Sequence, residues 1–159
     1  MELKIRKAEN KDIGKIMHLL RQVNDVHADG RPDLFRHGCT KYTSVDLTKI
    51  ITDPNTPVFV VIDKNGEVTG YCFGIFQDHS GSHNLTNVKT LYIDDICIDI
   101  HHRGQGIGRK IYEFIKDYAK GEGVYNLTLN VWSCNPGAIR FYEALGMKPM
   151  KVGMEEILC

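Results

Sequence analysis

A glycine-rich segment about two thirds of the way along the chain constrains this sequence more than any other feature. Residues 103–110 read Arg-Gly-Gln-Gly-Ile-Gly-Arg-Lys and stand between a predicted strand and a predicted helix. Glycine allows backbone conformations that other residues avoid, and it lets a ligand approach the main chain closely. The start of a helix adds unpaired N–H groups and the positive end of the helix dipole, a combination that suits a pyrophosphate. The segment therefore predicts a phosphate-binding turn, with further positive charge from Arg103, Arg109 and Lys110.

Two widespread nucleotide-binding motifs do not match this turn. The P-loop ends in Gly-Lys-Ser/Thr, and no such tripeptide occurs in the chain. The dinucleotide fingerprint G-x-G-x-x-G belongs to a first strand–helix–strand unit, whereas the glycines here alternate and come late in the sequence. Taken alone, the segment is equally compatible with a surface turn whose glycines are structural.

The hydrophobic pattern predicts a single domain over residues 1–159 in which helices and strands are mixed. The element order is βααβββαβαβ, which indicates an α/β or α+β sandwich with helices packed on a mixed sheet. Asn10 and Ser44 are the predicted N-caps of the first two helices. The predicted strands cover residues 3–6, 58–62, 67–76, 89–100, 124–132 and 148–157, and the predicted helices cover 11–26, 44–53, 106–120 and 136–145.

The composition fits one soluble domain and argues against several classes of partner. Of the 159 residues, 42% are hydrophobic, and the 20 basic and 20 acidic side chains cancel, so the basic excess of a nucleic-acid-binding protein is missing. No polybasic run, membrane-spanning stretch or signal peptide is recognisable. The five cysteines are odd in number and form no C-x-x-C pair, which disfavours disulfides and a zinc site. We therefore expect a cytoplasmic protein without a bound metal, nucleic acid or membrane.

A second motif lies downstream of the glycine-rich turn. Residues 135–147 read Asn-Pro-Gly-Ala-Ile-Arg-Phe-Tyr-Glu-Ala-Leu-Gly-Met. With the R-x-x-G-x-G pattern of the turn, this segment resembles the N-x-x-A-x-x-F-Y-x-x-x-G-[FM] segment of the GNAT superfamily of N-acetyltransferases. The two signatures come in the right order, and the resemblance covers nearly the whole chain. It implies a central mixed, mostly antiparallel sheet with helices on both faces and a splay between the strands on either side of the turn and its helix.

The resemblance also implies where the cosubstrate acetyl-CoA binds. Its pantetheine arm is expected in the splay against strand backbone, and its pyrophosphate on the turn. From the residue pattern alone, Asn135 fits a helix N-cap and Tyr142 fits the core, and both readings remain compatible with contacts to CoA. The expected cofactor-binding residues are Ile96, Cys97, Ile98, Arg103, Gly104, Gln105, Gly106, Ile107, Gly108, Arg109, Lys110, Asn135 and Tyr142.

Two catalytic roles follow from the resemblance. The matching tyrosine of the family points at the CoA sulfur, so Tyr142 is expected to protonate the leaving thiolate. Asp94 and Asp95 lie within an apolar strand, where two carboxylates are costly unless they serve a purpose. Strand periodicity places them on opposite faces. By resemblance to enzymes that acetylate polyamines or amino sugars, Asp94 is the general base, often through water, while Asp95 orients the loop or the substrate.

These inferences predict transfer of an acetyl group from acetyl-CoA directly to a primary amine of a small molecule, such as a polyamine, an amino sugar or an aminoglycoside. A protein N-terminal or lysine acetyltransferase is the alternative. A non-catalytic acyl-CoA sensor is disfavoured, because a sensor needs neither an acid nor a base. The class of acceptor that can enter depends on the shape of the site mouth, which we assign to residues 28–43 and 79–87. An open groove favours a peptide, and a closed acidic pocket favours a small amine. A bacterial origin is expected, Trp132 is expected at the core edge, and a homodimer is left open.

Overall fold

Short apolar runs separated by polar turns build one mixed sheet. The computed structural model describes residues 2–159, and the sheet order within them is β1–β2–β3–β4–β5, the order of the chain. Neighbours from β1 to β4 are antiparallel, and β4 and β5 are parallel. The predicted mixed, mostly antiparallel sheet is confirmed. The strands are β1 (Lys4–Lys7), β2 (Val58–Ile62), β3 (Val68–Gln77), β4 (Thr90–Ile98) and β5 (Asn126–Leu129).

Four α-helices cover the two faces of this sheet, as predicted. They are α1 (Ile13–Gly30), α2 (Ser44–Thr52), α3 (Ile107–Gly121) and α4 (Pro136–Ala144). The apolar sides of α1 and α2 bury one core against the sheet, and α3 buries a second core on the opposite face. No helix within residues 2–159 is both long enough and apolar enough to cross a membrane. The central side chains are Ile16, Leu19, Leu20, Leu47, Tyr71 and Phe73 in the first core, and Phe59, Val61, Leu91, Ile107, Ile111 and Ile115 in the second.

Two helix caps lie one residue earlier than the sequence pattern predicts. The chain enters α1 through a 3-10 turn that Glu9 caps in place of Asn10, and the Asp12 carboxylate accepts a hydrogen bond from the Glu9 N–H at 2.8 Å. Thr43 caps α2 in place of Ser44, and its hydroxyl accepts a hydrogen bond from the Asp46 N–H at 3.1 Å. In both cases the acidic residue three positions after the cap completes a capping box, and this reciprocal bonding selects the earlier residue.

The predicted closing strand over residues 148–157 does not form. No residue of the segment belongs to a strand, and every residue from 148 to 159 is exposed. A strand requires a neighbouring strand for its hydrogen bonds, and within residues 2–159 this segment lies beside none. Among the described residues, its side chains are attached only at the end of α1, where Arg31 bonds the Glu155 carboxylate at 2.5 Å. The preceding strand, β5, is also shorter than predicted.

Candidate active site

β4 and β5 separate in the middle of the sheet and leave a gap. Their pairing runs only from Thr90 to Ile93 on β4, opposite Asn126 to Leu129 on β5. β4 continues to Ile98 and is paired only on its β3 side over that stretch. The backbone on the other side of β4 is therefore available from Asp94 onward. This is the splay that the sequence predicted, and Asp94 stands at its fork.

The direction of the β4 backbone in the gap follows from one hydrogen bond. The Asp99 N–H donates to the Thr69 carbonyl at 2.8 Å, and backbone groups alternate sides along an antiparallel pair. The polar backbone groups of Ile96 and Ile98 therefore face the gap, while those of Cys97 face β3. The Ile98 carbonyl accepts a hydrogen bond from Arg103 Nε at 3.2 Å, which agrees with this direction.

Cys97 does not point into the gap by either its backbone or its side chain. Its thiol lies 3.7 Å from the Leu19 carbonyl of α1. Burial raises the pKa of this thiol to about 12, so it stays protonated and unreactive at neutral pH. Cys97 fills the core as a small apolar side chain, and we do not include it among the proposed cosubstrate contacts.

The glycines of the turn serve two different purposes. Gly104 and Gly106 adopt φ angles of +77° and +76°, which side chains other than glycine avoid, and open space surrounds both. Gly108 has no such angle, but a Cβ atom there would lie 2.9 Å from Cζ of Phe141. The first two glycines therefore shape the turn, and the third lets α3 pack against α4.

The turn presents unpaired hydrogen-bond donors and uncompensated positive charge. The first backbone bond of α3 runs from the Lys110 N–H to the Gly106 carbonyl at 3.1 Å. The N–H groups of residues 106–109 donate to no other residue in the described part of the chain. Arg103, Arg109 and Lys110 are exposed, and within residues 2–159 none of them forms an ion pair. These donors fit the phosphates of CoA.

The turn is anchored to α1 by a buried carboxylate that the sequence analysis did not identify. Asp99 accepts hydrogen bonds from Lys15 Nζ at 2.6 Å and from the His101 N–H at 3.2 Å. The Ile100 N–H donates to Gln22 Oε1 at 3.1 Å. These bonds fix the end of β4, and with it the start of the turn. The adjacent His102 keeps a buried Nδ1 without a hydrogen-bond partner among the described residues.

Asp94 and Asp95 lie on the same face of the sheet, and their predicted placement on opposite faces is wrong. The register between β3 and β4 shifts at Phe73 and Gly74, which leaves Asp94 without a partner on β3. Such a bulge inserts one residue and breaks the alternation of side chains. Both carboxylates then reach tyrosines on the α1–α2 side, with Tyr42 Oη 2.5 Å from Asp94 and Tyr71 Oη 2.6 Å from Asp95.

Asp94 also forms an ion pair with a lysine. Lys41 Nζ donates to Asp94 Oδ1 at 2.7 Å, and the Asp94 side chain is only 8% exposed. Lys41 and Tyr42 lie in the segment between α1 and α2, which we assigned to the site mouth as a whole. No motif marks Lys41, Tyr42 or Tyr71 in the sequence. The ion pair shows that Asp94 is placed to bind an ammonium group.

The two carboxylates differ in their electrostatic environment. Burial raises the pKa of Asp95 to about 6, against the lowering effects of the Tyr71 hydroxyl and Lys41, and the Asp94 charge raises it further. Burial, and then the Asp94 carboxylate, also raises the pKa of Tyr42. Asp95 can therefore gain or lose a proton close to neutral pH, as a catalytic acid or base must.

The raised pKa of Asp95 predicts a pH-dependent cost in stability. The folded state binds the Asp95 proton more tightly than the unfolded state does. Protonation of Asp95 therefore stabilises the folded state fully below pH about 4, and this contribution to the free energy of unfolding is lost as the pH rises through about 6. Asp95→Asn should therefore gain stability relative to the parent between pH 4 and 8, by up to about 3 kcal/mol. Urea denaturation across this range measures the difference. Asp117→Asn, at an exposed position on α3, is the control, and a constant offset between Asp95→Asn and the parent contradicts the prediction.

Tyr142 lies on α4, half-buried near the fork. Burial, and then the negative charge of Asp95, raises the pKa of its hydroxyl, which therefore keeps its proton at neutral pH. The hydroxyl forms no hydrogen bond with another residue of the described chain, and the ring packs edge-on against Phe141 at 5.2 Å between centroids. A protonated hydroxyl without a partner is available to a ligand.

Asn135 caps α4, as the residue pattern allowed. Its Oδ1 accepts a hydrogen bond from the Ala138 N–H at 3.2 Å, and Pro136 occupies the first helical position. The Nδ2 donor forms no bond within residues 2–159, so the cap leaves one polar group of Asn135 for a ligand.

An aromatic cluster forms the rim of the site. Trp132 packs edge-on against Phe35 at 5.3 Å between centroids, and Phe35 contacts His27 at 5.1 Å. The end of α1 lies directly against the segment after β5, since a Cβ atom on Gly30 would be 2.7 Å from the Cys134 sulfur. Trp132 remains 39% exposed, in agreement with its predicted place at the edge of the core.

Comparisons with known proteins agree with this geometry. The sequence profile of the acetyltransferase (GNAT) family matches residues 20–147. A thialysine N-epsilon-acetyltransferase of Bos taurus is 27% identical, covering 92% of this chain and 84% of that protein. A peptidyl-lysine N-acetyltransferase of Salmonella typhimurium is also 27% identical, covering 93% and 85%. The crystal structure of a mutant protein from Bacillus halodurans superposes with a TM-score of 0.93 at 31% identity, covering 98% of this chain and 99% of that one. This chain belongs to the GNAT family and is an enzyme of the N-acetyltransferase class.

Proposed function

We propose that this enzyme transfers the acetyl group of acetyl-CoA to a primary amine of a small molecule. The observation that carries the proposal is the fork between β4 and β5, where Asp94 binds an ammonium group and from which the unpaired side of β4 leads to a turn with free N–H donors. The family uses acetyl-CoA, and the thialysine acetyltransferase is named for a small amine acceptor.

The turn binds the phosphates of acetyl-CoA, and the gap binds its pantetheine arm. Residues 103–110 bind the phosphates through the free N–H groups of residues 106–109 and the side chains of Arg103, Arg109 and Lys110. The backbone groups of Ile96, which face the gap, bind the amides of the pantetheine arm. Asn135 Nδ2 adds a donor at the start of α4.

The acceptor amine replaces Lys41 at Asp94. An alkyl ammonium must lose a proton before its nitrogen can attack a thioester, and Asp94 accepts that proton directly or through water. The Ile98 N–H, which faces the gap, stabilises the oxygen on which negative charge develops. Tyr142 then donates its proton to the departing sulfur.

A lysine side chain of a protein is the second candidate acceptor. The ammonium that Asp94 binds in this structure is itself that of a lysine, Lys41, and the Salmonella relative is named for peptidyl-lysine. Release of CoA thiol with a panel of polyamines, free lysine, amino sugars and lysine peptides separates the two acceptor classes.

The turn can be tested by its effect on acetyl-CoA binding. We expect acetyl-CoA at about 100 times its Kd to stabilise the parent by about 2.7 kcal/mol, and ATP to stabilise it much less. Gly106→Ala forces a side chain into a positive-φ position, and it should weaken acetyl-CoA binding at least about tenfold. Thermal shift assays and calorimetry measure both effects.

Gly123→Ala is the matched control for the turn. Gly123 has a φ of +71° and open surroundings, but it lies after α3 and away from the fork. The two substitutions impose a similar backbone strain of about 1–2 kcal/mol. Equal acetyl-CoA affinity in both variants would mean that the turn is structural only, and a shift from ATP as large as that from acetyl-CoA would contradict the proposed function.

A further inference from the structure

The ion pair between Lys41 and Asp94 puts a lysine of the chain itself at the position proposed for the acceptor amine. Lys41 Nζ lies 2.7 Å from Oδ1 of Asp94, and Tyr42 Oη lies 2.5 Å from Oδ2. Two consecutive residues thus hold the two oxygens of one carboxylate. The segment between α1 and α2 therefore delivers an amine to the fork without any ligand being bound.

Tyr42 fixes the backbone from which Lys41 reaches the fork. Its ring stacks on Phe73 of β3 with 5.8 Å between the centroids, and its carbonyl accepts a hydrogen bond from the Thr40 hydroxyl at 2.8 Å. Lys41 Nζ lies 5.6 Å from the centroid of the Tyr42 ring, within the range of a cation–π contact. An amine held in this way does not have to be captured from solution, and such placement accelerates reactions strongly.

The Lys41 side chain has room to move, whereas its carboxylate partner has not. The side chain of Lys41 is 49% exposed, and that of Asp94 is 8% exposed. Burial, and then the charge of Lys41, lowers the pKa of His27 in the aromatic cluster, so the ammonium lies close to this cluster as well as to the fork. Lys41 can therefore approach a thioester in the gap and can leave the site afterwards.

We propose that Lys41 is a self-acetylation site, so that without an added acceptor the enzyme transfers the acetyl group of acetyl-CoA to Nζ of its own Lys41. The inference rests on the proposed function. Asp94 accepts a proton from the ammonium, the freed lone pair forms a bond to the acetyl carbon, and the bond from that carbon to sulfur breaks. Tyr142 protonates the departing thiolate. The nitrogen gives up two protons in all, of which one restores Tyr142 and the other is released to solvent.

The modification changes the charge at the fork. Acetyl-lysine carries no charge, so acetylation of Lys41 removes the cation that pairs with Asp94. The carboxylate then stays available to an external amine. Self-acetylation thus converts a site that is filled by its own lysine into one that is open to an acceptor.

Mass spectrometry of the parent protein tests the proposal. Incubated with acetyl-CoA alone, the chain should gain the mass of one acetyl group, and peptide mapping should place it on Lys41. Lys116 is the internal reference, since it is 37% exposed and pairs with Glu113 at 3.0 Å, but lies on α3 on the other face of the sheet. Lys41 should react at least about 100-fold faster, the lower end of the range for general base catalysis. Equal rates at the two lysines mean chemical acetylation and overturn the proposal.

Two variants and a dilution series show whether the chain modifies itself. Lys41→Arg keeps a cation for Asp94 but has no lone pair to attack at neutral pH, and it should gain no acetyl group. Asp94→Asn keeps the lysine and should slow its modification at least about 100-fold. Diluting the parent at constant acetyl-CoA should leave the rate per chain unchanged. Modification of Lys41 in Asp94→Asn at the parent's rate, or a rate that falls on dilution, refutes self-acetylation.

Parallel assays separate failure of this inference from failure of the proposed function. CoA thiol is measured with the panel of amines and peptides, and Lys41 is mapped in the same protein without acceptor. Thiol release with an added amine while Lys41 stays unmodified overturns self-acetylation alone. Neither thiol release nor modification of Lys41 contradicts the proposed function as well.

Discussion

Tyr142→Phe is expected to lower kcat by about 10²-fold, near the lower end of the range for general acid catalysis. The substitution removes one hydroxyl and keeps the ring that packs against Phe141. The hydroxyl forms no hydrogen bond with a described residue, so the fold should lose little stability. A thiolate leaves tolerably well without help, which is why the loss should not reach the upper end of the range. The KM for acetyl-CoA should hardly change, since the lost interaction belongs to the transition state.

Tyr118→Phe is the matched control for this experiment. Tyr118 is a half-buried tyrosine whose pKa is also raised, mainly by burial, but its ring packs on Phe59 and Phe76, away from the fork. Steady-state kinetics and direct binding of acetyl-CoA measure both variants. A Tyr142→Phe enzyme that turns over like the parent refutes the acid role. A loss of acetyl-CoA affinity in proportion to the loss of rate makes Tyr142 a binding or packing residue instead.

Several local features of the fold could be predicted from the sequence, although the caps of the first two helices each lie one residue earlier than predicted. The glycines at 104 and 106 adopt the left-handed conformation that such a turn requires, and Asn135 with Pro136 starts α4 as the residue pattern indicated. These features depend on a few neighbouring residues, so a short segment contains most of the information. The splay also follows from the order of elements once the family resemblance is given.

The geometry of the two carboxylates could not be predicted, because it depends on register between strands. A single inserted residue at the Phe73–Gly74 shift brings Asp94 to the same face as Asp95, and strand periodicity assumes that no such insertion exists. Their partners Tyr42 and Tyr71 are distant in sequence. The pairing of β3 with β4 brings Tyr71 to Asp95, and packing of the segment between α1 and α2 over the sheet brings Tyr42 to Asp94.

The segment over residues 148–157 shows a different limit of sequence reasoning. Its alternating residues predict a strand, and the prediction is wrong because the described part of the chain places no strand beside this segment. Alternation of apolar and polar residues predicts that one face of a segment is buried, but it does not identify the surface that covers this face.

Asp94→Asn is expected to lower kcat/KM for the acceptor at neutral pH by about 10²- to 10⁴-fold. The amide keeps the shape of the carboxylate, but Lys41 and Tyr42 bond different oxygens of Asp94, and the single oxygen of the amide keeps only one of these two acceptor positions. It cannot accept a proton, so the variant depends on the small fraction of acceptor that is already neutral. For an alkyl amine with a pKa of about 10, that fraction rises roughly tenfold per pH unit. The deficit of the variant should therefore shrink steadily as the pH is raised from 7 to 9.

Asp95→Asn in the same assay decides which carboxylate is the base. Asp95 is bonded to Tyr71 and lies close enough to Tyr142 to raise the pKa of that hydroxyl. If Asp94 is the base, Asp95→Asn should keep the parent's pH dependence above pH 7 and lose far less rate than Asp94→Asn. The reverse ranking moves the base to Asp95, whose raised pKa of about 6 suits the role. Equal and small losses in both variants, with unchanged pH profiles, would leave solvent water as the only proton acceptor and remove both residues from catalysis.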